Sequence, residues 1–538
     1  MLGDHVSSDL QLPDVARSLP FQTPWGAPHF QEGLQTPSSD PRLLKRQQLP
    51  LLALRNEAAI LTAIRAELAT IQTPVVDDLL HPADARISES IGQILWAPDH
   101  AGAFLNSSPF VLNFLIVWKT ILLPAFAILM PLLALVIPFL LLVFLTPDSA
   151  PTLPEYLEKA RDLILQQISV PAVLRSRGPG DRVGFAMESA FIALTAAMFA
   201  SGIWNQVTAA LHLRTIWSDL NTRGGHLLTL RDAAARILNQ LQSLRTKKRL
   251  AIRSLVREGE AALAASAALE GLDEVATFGH VWNGAESLRG LKRWVSRVDV
   301  LVTLAGLPGI CFPTLSSTVG LAMTGVHHPL VKGCVANDFS TAERAHTILT
   351  GPNRGGKSTY CKSVGLAVIT AQTWGFAWAA AMTWSPFGAI QTALEPRGKL
   401  GSVSTFEAEI EFAKSVLDQA RSSERKGPLF VMMDEIFHST NAGDGVAASR
   451  VFLEQLYQAS GIVSMISTHY KDLSEVFNGS AMPLQVVASE QKDGTLSYTY
   501  SVAPGASSIS SVMELLREHG LALPPASVAS APADSTQK

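Results

Sequence analysis

The chain has 538 residues, enough for three or four domains at about 150 residues each, which excludes a single small binding module. Hydrophobic residues make up 47% and charged residues 17%, with a mean hydropathy of +0.22; that balance is more apolar than a soluble domain usually carries, so part of the chain is expected to meet lipid. The 43 basic and 46 acidic residues leave a net charge of −3, which excludes a globally basic nucleic-acid binder and leaves charge to be read region by region.

Residues 1–105 alternate Pro-rich connectors with one amphipathic stretch, Leu43 to Ile71, whose apolar residues recur every three to four positions and predict a helix in a soluble helical region. The opening MLGDHVSSDLQLPDV lacks the basic stretch and apolar run of a cleavable signal peptide, so secretion is not expected. From Phe110 to Leu145 the chain is almost wholly apolar, and no charged residue occurs from Thr120 to Pro147. Roughly twenty helical residues cross a bilayer core, so the span 110–146 fits one long tilted helix or two short ones turning near Pro124, Pro131 or Pro138. A second run, Val183 to Val207, is apolar except for Glu188 and reaches Ile203-Trp204, the kind of aromatic found at a lipid–water boundary. A buried soluble helix fits this second run as well.

Residues 208–325 return to charged helical periodicity. Between Arg214 and Arg257 lie ten Lys or Arg against two acids, Asp219 and Asp232, an excess of eight positive charges. Anionic lipid headgroups, nucleic-acid phosphate and a solvated helix face all suit that stretch. After His328-Pro329, short apolar runs (Thr347–Leu349, Leu429–Met433, Ile462–Ile466) alternate with helical stretches, which predicts parallel βαβ units. The segment 518–538 is rich in Pro, Ala and Ser and reads as a disordered tail. Cys311, Cys334 and Cys361 are scattered without metal-ligand spacing, so reduced thiols and no zinc are expected.

Three motifs carry chemistry. Gly351-Pro352-Asn353-Arg354-Gly355-Gly356-Lys357-Ser358 satisfies the P-loop pattern between a strand-like Ile348-Leu349-Thr350 and a helix-like stretch, Thr359 to Ala371. Backbone N–H groups of such a loop close around phosphates at a helix N-terminus, Lys357 reaches the β and γ oxygens, and Ser358 offers its hydroxyl to Mg²⁺. Leu429–Met433 is an apolar strand ending in Asp434-Glu435. There Asp434 would hold Mg²⁺ and Glu435 would orient or deprotonate the attacking water, because phosphoryl transfer needs charge stabilisation and a positioned nucleophile. The strand Ile462–Ile466 delivers Ser467-Thr468-His469, placing a histidine where it can contact the γ-phosphate and sense its loss.

Together these motifs resemble the ATPase domain of the MutS family of DNA mismatch-repair proteins. GPNRGGKSTY resembles the family's P-loop, with Asn353 and the Gly355-Gly356 pair distinctive, and STHY at 467–470 resembles its switch histidine segment. Ser404-Thr405-Phe406 matches the family's S-T-F element, which implies that Ser404 is offered in trans to a partner's nucleotide. Thr440, Asp444 and Gly445 match the loop that lines the subunit interface. More weakly, Arg297-Val298-Asp299-Val300-Leu301 resembles the junction of lever helices and ATPase, His328-Pro329 with Asn337-Asp338 its beginning, and Thr23-Pro24-Trp25-Gly26 with Lys45-Arg46-Gln47-Gln48 the start of the helical core. No Phe-x-Glu reading motif stands before that core, and the apolar runs occupy the place of the family's DNA clamp. Phe437-His438-Ser439 replaces Gly-Arg-Gly after the second motif, and Val403 replaces a common arginine, so signalling between subunits is expected to differ.

The expected architecture is therefore an α/β P-loop NTPase domain of the ABC/MutS type at residues 326–517. It would follow an all-α core and lever region, 1–105 and 208–325, interrupted by transmembrane helices within 106–207. The resemblance implies ATP and Mg²⁺ as cofactors, with catalysis by Lys357, Glu435 and His469. Nucleotide contacts would come from Gly351 to Thr359 (Pro352, Asn353, Arg354, Gly355, Gly356, Lys357 and Ser358 between them), and the metal would sit on Ser358 and Asp434. It implies a homodimer, or a pair with a related ATPase subunit, with Asp444 at the interface, and DNA as a partner through 214–257. The apolar runs add a lipid bilayer, and the basic residues after Val207 put the ATPase on the cytoplasmic face. The function expected is that of a membrane-anchored MutS-like ATPase lacking the mismatch-recognition domain. The alternative is DNA-independent, ATP-driven membrane remodelling or tethering.

Overall fold

The computed structural model describes residues 2–80, 89–147, 151–159, 182–395, 405–422, 425–491 and 495–521. The chain divides into two compact units, one of Met1–Ala69, Ile237–Glu258 and Trp294–Lys538, the other of Thr70–Arg236 and Gly259–Arg293.

Among the described residues of the first unit, ten strands form two sheets. Strands β1 (Thr314–Leu315), β2 (Leu321–Val326), β3 (Asn337–Ser340) and β5 (Ala381–Trp384) make a small sheet in the order β1-β5-β2-β3. The larger sheet contains β4 (His346–Thr350), β6 (Ala389–Ala393), β7 (Leu429–Met433), β8 (Ile462–Ser467), β9 (Ala481–Glu490) and β10 (Leu496–Pro504), in the order β10-β9-β4-β8-β7-β6. From β9 to β6 every pairing is parallel, and only β10 runs antiparallel. Every residue of β4, β7 and β8 is buried, which is why these strands read as unbroken apolar runs: helices cover both faces of a parallel sheet.

The N-terminal helices pack on this α/β body rather than standing apart from it. Asp9, buried, accepts hydrogen bonds at Oδ2 from Thr392 Oγ1 (2.6 Å) and the Leu394 amide (3.1 Å). Phe30 stacks on Trp374 with centroids 5.6 Å apart, and the indole donates to the Phe30 carbonyl at 3.1 Å. Gln372 ties the loop at Ser38 to Phe387 through its side-chain amide. The first segment of this compact unit ends at Ala69. The stretch predicted as one helix from Leu43 to Ile71 is two, Pro41–Leu54 and Ala58–Ala69. It breaks at Arg55, whose guanidinium donates to the Leu307 carbonyl (3.0 Å) and lies over the Phe312 ring, fixing a corner there.

In the second unit the long apolar run is a single unbroken helical path: an α-helix Pro109–Val117, a π-helical turn Trp118–Leu122 and an α-helix Leu123–Leu145. It does not turn back at Pro124, Pro131 or Pro138. The π turn lies directly before Pro124 and spares the ladder a clash with the proline ring. The helix Arg182–Gln242 contains the second apolar run; the surroundings of the Glu188 side chain lie outside the described residues. Gly224 on this helix meets the carbonyl of Glu274 so closely that an added Cβ would lie 1.7 Å from that oxygen, so no other residue fits there. Asn106, fully buried, accepts from the Trp96 amide and donates to the Trp96 carbonyl and to Asn283. At the C-terminus Val512–Glu518 is helical, so the segment read as a disordered tail from 518 begins on that helix's last residue; 522–538 lie outside the described residues.

Candidate functional site

Strand register brings the three motifs to one edge. Leu349 pairs with Ser467 and Met433 with Ile466, so β4, β7 and β8 end level with one another. The ladder continues past them through Thr468 N–H to Leu349 O (3.0 Å), Glu435 N–H to Ser467 O (3.0 Å) and Asp434 N–H to Ala393 O (2.8 Å). The P-loop, the acidic pair and His469 are thereby held by main-chain bonds beyond the carboxyl ends of the strands, where open α/β sheets bind ligands.

Gly351 (φ +153°) and Gly356 (φ +99°) take backbone conformations that other residues rarely adopt. Gly356 caps the helix Lys357–Thr373, which begins two residues before the predicted start and aims its N-terminus at the loop. Lys357 is buried, and its ammonium donates to the carbonyls of Gly351 (3.0 Å) and Pro352 (3.3 Å). Burial pulls its pKa below the usual lysine value, while the charges of Asp434 and Glu435 oppose that pull. The three charges are thus electrostatically coupled.

Asp434 has a buried carboxylate oxygen, Oδ1, with no hydrogen-bond partner. A buried bare acceptor is costly unless a ligand completes it, so the donor set of Asp434 and the exposed Ser358 hydroxyl suits a hard divalent cation such as Mg²⁺. Glu435 accepts a hydrogen bond from His469 Nε2 at 2.7 Å, and this bond, more than any other influence, holds its pKa below the usual carboxylate value. His469 therefore reaches the Glu435 carboxylate directly, a contact that its expected place at the γ-phosphate does not include. Glu435 (φ +55°) and Phe437 (φ +51°) both lie in the left-handed region. Their turn is held by the Phe437 ring against Phe406 and Phe452 and by the Tyr470 hydroxyl donating to the Phe437 carbonyl (3.1 Å).

A cavity of about 530 Å³, the size of a mononucleotide site, opens beside the P-loop. Asn353, Arg354, Gly356, Lys357, Ser358 and Thr359 line one side and Glu435 reaches it. Val331, Val335, Asn337 and Tyr500 complete it, and the sequence reading missed all four as site residues. Tyr500 carries a signal only in hindsight, being a non-glycine residue at φ +55° on β10.

Other predicted residues lie elsewhere. Asp444 is exposed in the first turn of the helix Ala442–Gln458, bonded to Asn441, and does not line the cavity. Gly445 has a packing reason to be glycine, since a Cβ there would lie 2.3 Å from the Tyr470 hydroxyl. Ser404 lies outside the described residues. Of the basic stretch, Arg214, Arg223, Arg231 and Arg236 belong to the second unit, and Arg245, Lys247, Lys248, Arg249, Arg253 and Arg257 to the first. Arg223 pairs with Asp219, Arg231 with Glu270 and Lys248 with Glu57, so part of the excess charge is spent within the fold.

Comparison with known proteins agrees with this geometry. The family model for MutS domain V, a P-loop ATPase-type domain, matches residues 347–537. The DNA mismatch repair protein MutS of Shouchella clausii is 31% identical over 232 residues, 41% of this chain and 26% of that protein. The DNA mismatch repair protein msh3 of Botryotinia fuckeliana is 33% identical over 190 residues, 33% of this chain and 16% of that protein. The DNA mismatch repair protein MutS 2 of Haloarcula marismortui is 27% identical over 322 residues, 54% of this chain and 33% of that protein. The chain thus spans between about a sixth and a third of the length of these relatives.

Proposed function

We propose that the chain is a membrane-anchored ATPase of the MutS type, which binds and hydrolyses ATP in a dimer and couples the cycle to movement of its helical region. The observation that carries the ATPase reading is the convergence of Lys357, Asp434, Glu435 and His469 on one strand edge beside a nucleotide-sized cavity. In this reading the P-loop amides and Lys357 bind the β- and γ-phosphates. Glu435, kept ionised by His469, accepts a proton from the attacking water. Val331, Val335 and Tyr500 give an adenine ring apolar and aromatic surface. Mg²⁺, held by Ser358 and Asp434, would supply charge neutralisation to the phosphates. Ser404 of a partner subunit would complete each site, with Asp444 at the interface.

The membrane reading rests on the helical path Pro109–Leu145, whose large apolar side chains, among them Phe110, Leu140 and Phe144, are exposed, and on the apolar start of Arg182–Gln242; both are long and apolar enough to cross a bilayer. One crossing at 110–146 and a return at 183–207 would leave 1–105 and 208–325 on one side, the cytoplasmic one by the positive-inside tendency. Cysteines introduced at Ala59, Leu165 and Thr222, with Cys311 and Cys334 replaced, test this by impermeant labelling. The expected result is labelling of positions 59 and 222 from one side and 165 from the other; labelling of all three from one side refutes a single crossing at 110–146.

The ATPase reading is tested on the detergent-purified chain. Lys357→Ala should abolish binding of a fluorescent ATP analogue and with it hydrolysis, and wild-type-like binding by this variant would overturn the assignment. Stimulation of turnover by duplex DNA would support DNA as a partner, as the relatives' names suggest. Stimulation by anionic liposomes without a DNA effect would favour the second reading, ATP-driven remodelling or tethering of membranes, which the dispersal and pairing of the basic residues favours.

A further inference from the structure

The residues after β10 run back to the P-loop, fastening to the end of β4 at one point and to the loop at two. The Ser507 amide donates to Thr350 Oγ1 (2.8 Å), the Asn353 amide donates to Ser511 Oγ (3.0 Å), and Arg354 pairs with Glu518 (2.5 Å). Ser507 and Ser511 are buried. The returning segment is itself anchored, because Glu514 on the helix Val512–Glu518 accepts from the Leu496 amide (2.7 Å) and the Tyr498 hydroxyl (2.5 Å), both on β10. Two residues further along β10, Tyr500 lines the cavity. One segment therefore grips the loop while the strand leading into it contributes Tyr500 to the cavity lining.

A glycine-rich loop has little side-chain packing of its own, so its shape must come from its neighbours. Asn353 and Arg354 precede the amides at the start of the helix Lys357–Thr373, which turn inward toward phosphate. Pinning the Asn353 amide from outside leaves those inward amides unengaged by the strap. Arg354 adopts φ +64°, a conformation that costs a non-glycine residue energy and persists where its surroundings impose it; Ser511 before it and Glu518 beside it supply that constraint.

We infer that Ser507–Glu518 is a strap that pre-shapes the P-loop for nucleotide, with Ser511 and Glu518 as positioning residues that raise affinity for ATP without taking part in hydrolysis. The inference rests on the nucleotide-site reading above. Pre-organisation acts through binding cost, so its loss should appear in the dissociation constant and leave kcat nearly unchanged, since the Glu435–His469 bond does not pass through the strap.

The test is titration of the full detergent-purified chain with a fluorescent ATP analogue, beside steady-state ATPase assays. Ser511→Ala should raise Kd about 3- to 10-fold, the change expected for one buried hydrogen bond, with kcat within about twofold of wild type and with Ser511→Thr restoring affinity. Glu518→Lys, at a half-exposed pair worth less by itself, should raise Kd about 2- to 3-fold by repelling Arg354. A folded Ser511→Ala protein with wild-type Kd overturns the inference; if that variant does not fold, an unchanged Kd in Glu518→Lys overturns it equally. Failure of the wild-type chain to bind any nucleotide refutes the site reading instead, which separates the two.

Discussion

Glu435→Gln should lower ATP turnover by roughly 10² to 10⁴ while nucleotide binding survives, the loss expected when one positioned general base is removed. The amide keeps the shape and one acceptor oxygen, so the bond from His469 and the left-handed turn at 435–437 can persist. What disappears is the charge that accepts the proton of water, a charge that His469 holds in place by stabilising the carboxylate form. The Lys357 ammonium and the Asp434 carboxylate, the groups proposed to grip phosphate and metal, are untouched. Single-turnover assays against equilibrium binding distinguish the steps. The expected outcome is an ATP-loaded protein that hydrolyses slowly, and undiminished hydrolysis would remove Glu435 from the chemistry.

Asp299→Ala should destabilise the first unit by about 2–4 kcal/mol, since hydrogen bonds to a charged acceptor contribute roughly 1.5–3 kcal/mol each and the Thr23 donors would be left buried and unpaired. Asp299, with none of its surface exposed, accepts from the amides of Gln22 (3.0 Å) and Thr23 (2.8 Å) and from the Thr23 hydroxyl (2.7 Å). It fastens the N-terminal segment to the helix Glu286–Gly306. Chemical denaturation of the detergent-solubilised chain measures the loss, and a change below about 0.5 kcal/mol would show that the anchor is dispensable. The pH dependence carries a definite sign. Burial raises the Asp299 pKa, and the hydrogen bonds from Gln22 and Thr23 only partly offset it. The folded state therefore holds this proton more tightly than the unfolded one, so the group's contribution is complete below the unfolded carboxylate pKa and falls as pH rises through the folded value. Wild type should lose stability relative to Asp299→Asn across that window, the reverse of an ordinary ion-paired aspartate.

The P-loop, the acidic pair and His469 were legible because each motif is contiguous and sits at the end of a strand whose unbroken apolar run marks it as buried. Val331, Asn337 and Tyr500 were not, because they come from separate segments, and only the strand order, with β9 and β10 laid beside β4, brings Tyr500 to Gly356. The helical path through Pro124, Pro131 and Pro138 left two readings open in sequence, since prolines mark turns and tolerated kinks alike; the π turn settles the local geometry. The packing of residues 4–54 on the sheet was also illegible. Asp9 and Thr392 carry no pattern that pairs them, and 383 positions of sequence separate them.

That last contact bears on how the protein is made. At about 5–20 residues per second, the strand that receives Asp9 leaves the ribosome some 20–80 s after Asp9 itself, the two being separated by 383 residues. Throughout that interval Leu10, Leu12, Val15 and Phe30, all buried in the finished fold, have no sheet to cover them, while the apolar helices of the other unit emerge in between. Contacts so distant in sequence form late and slowly. Nascent chains thus carry this apolar segment uncovered for that interval, so yield in an expression host should depend on holdase chaperones and on slow translation at low temperature more than on the equilibrium stability of the folded chain.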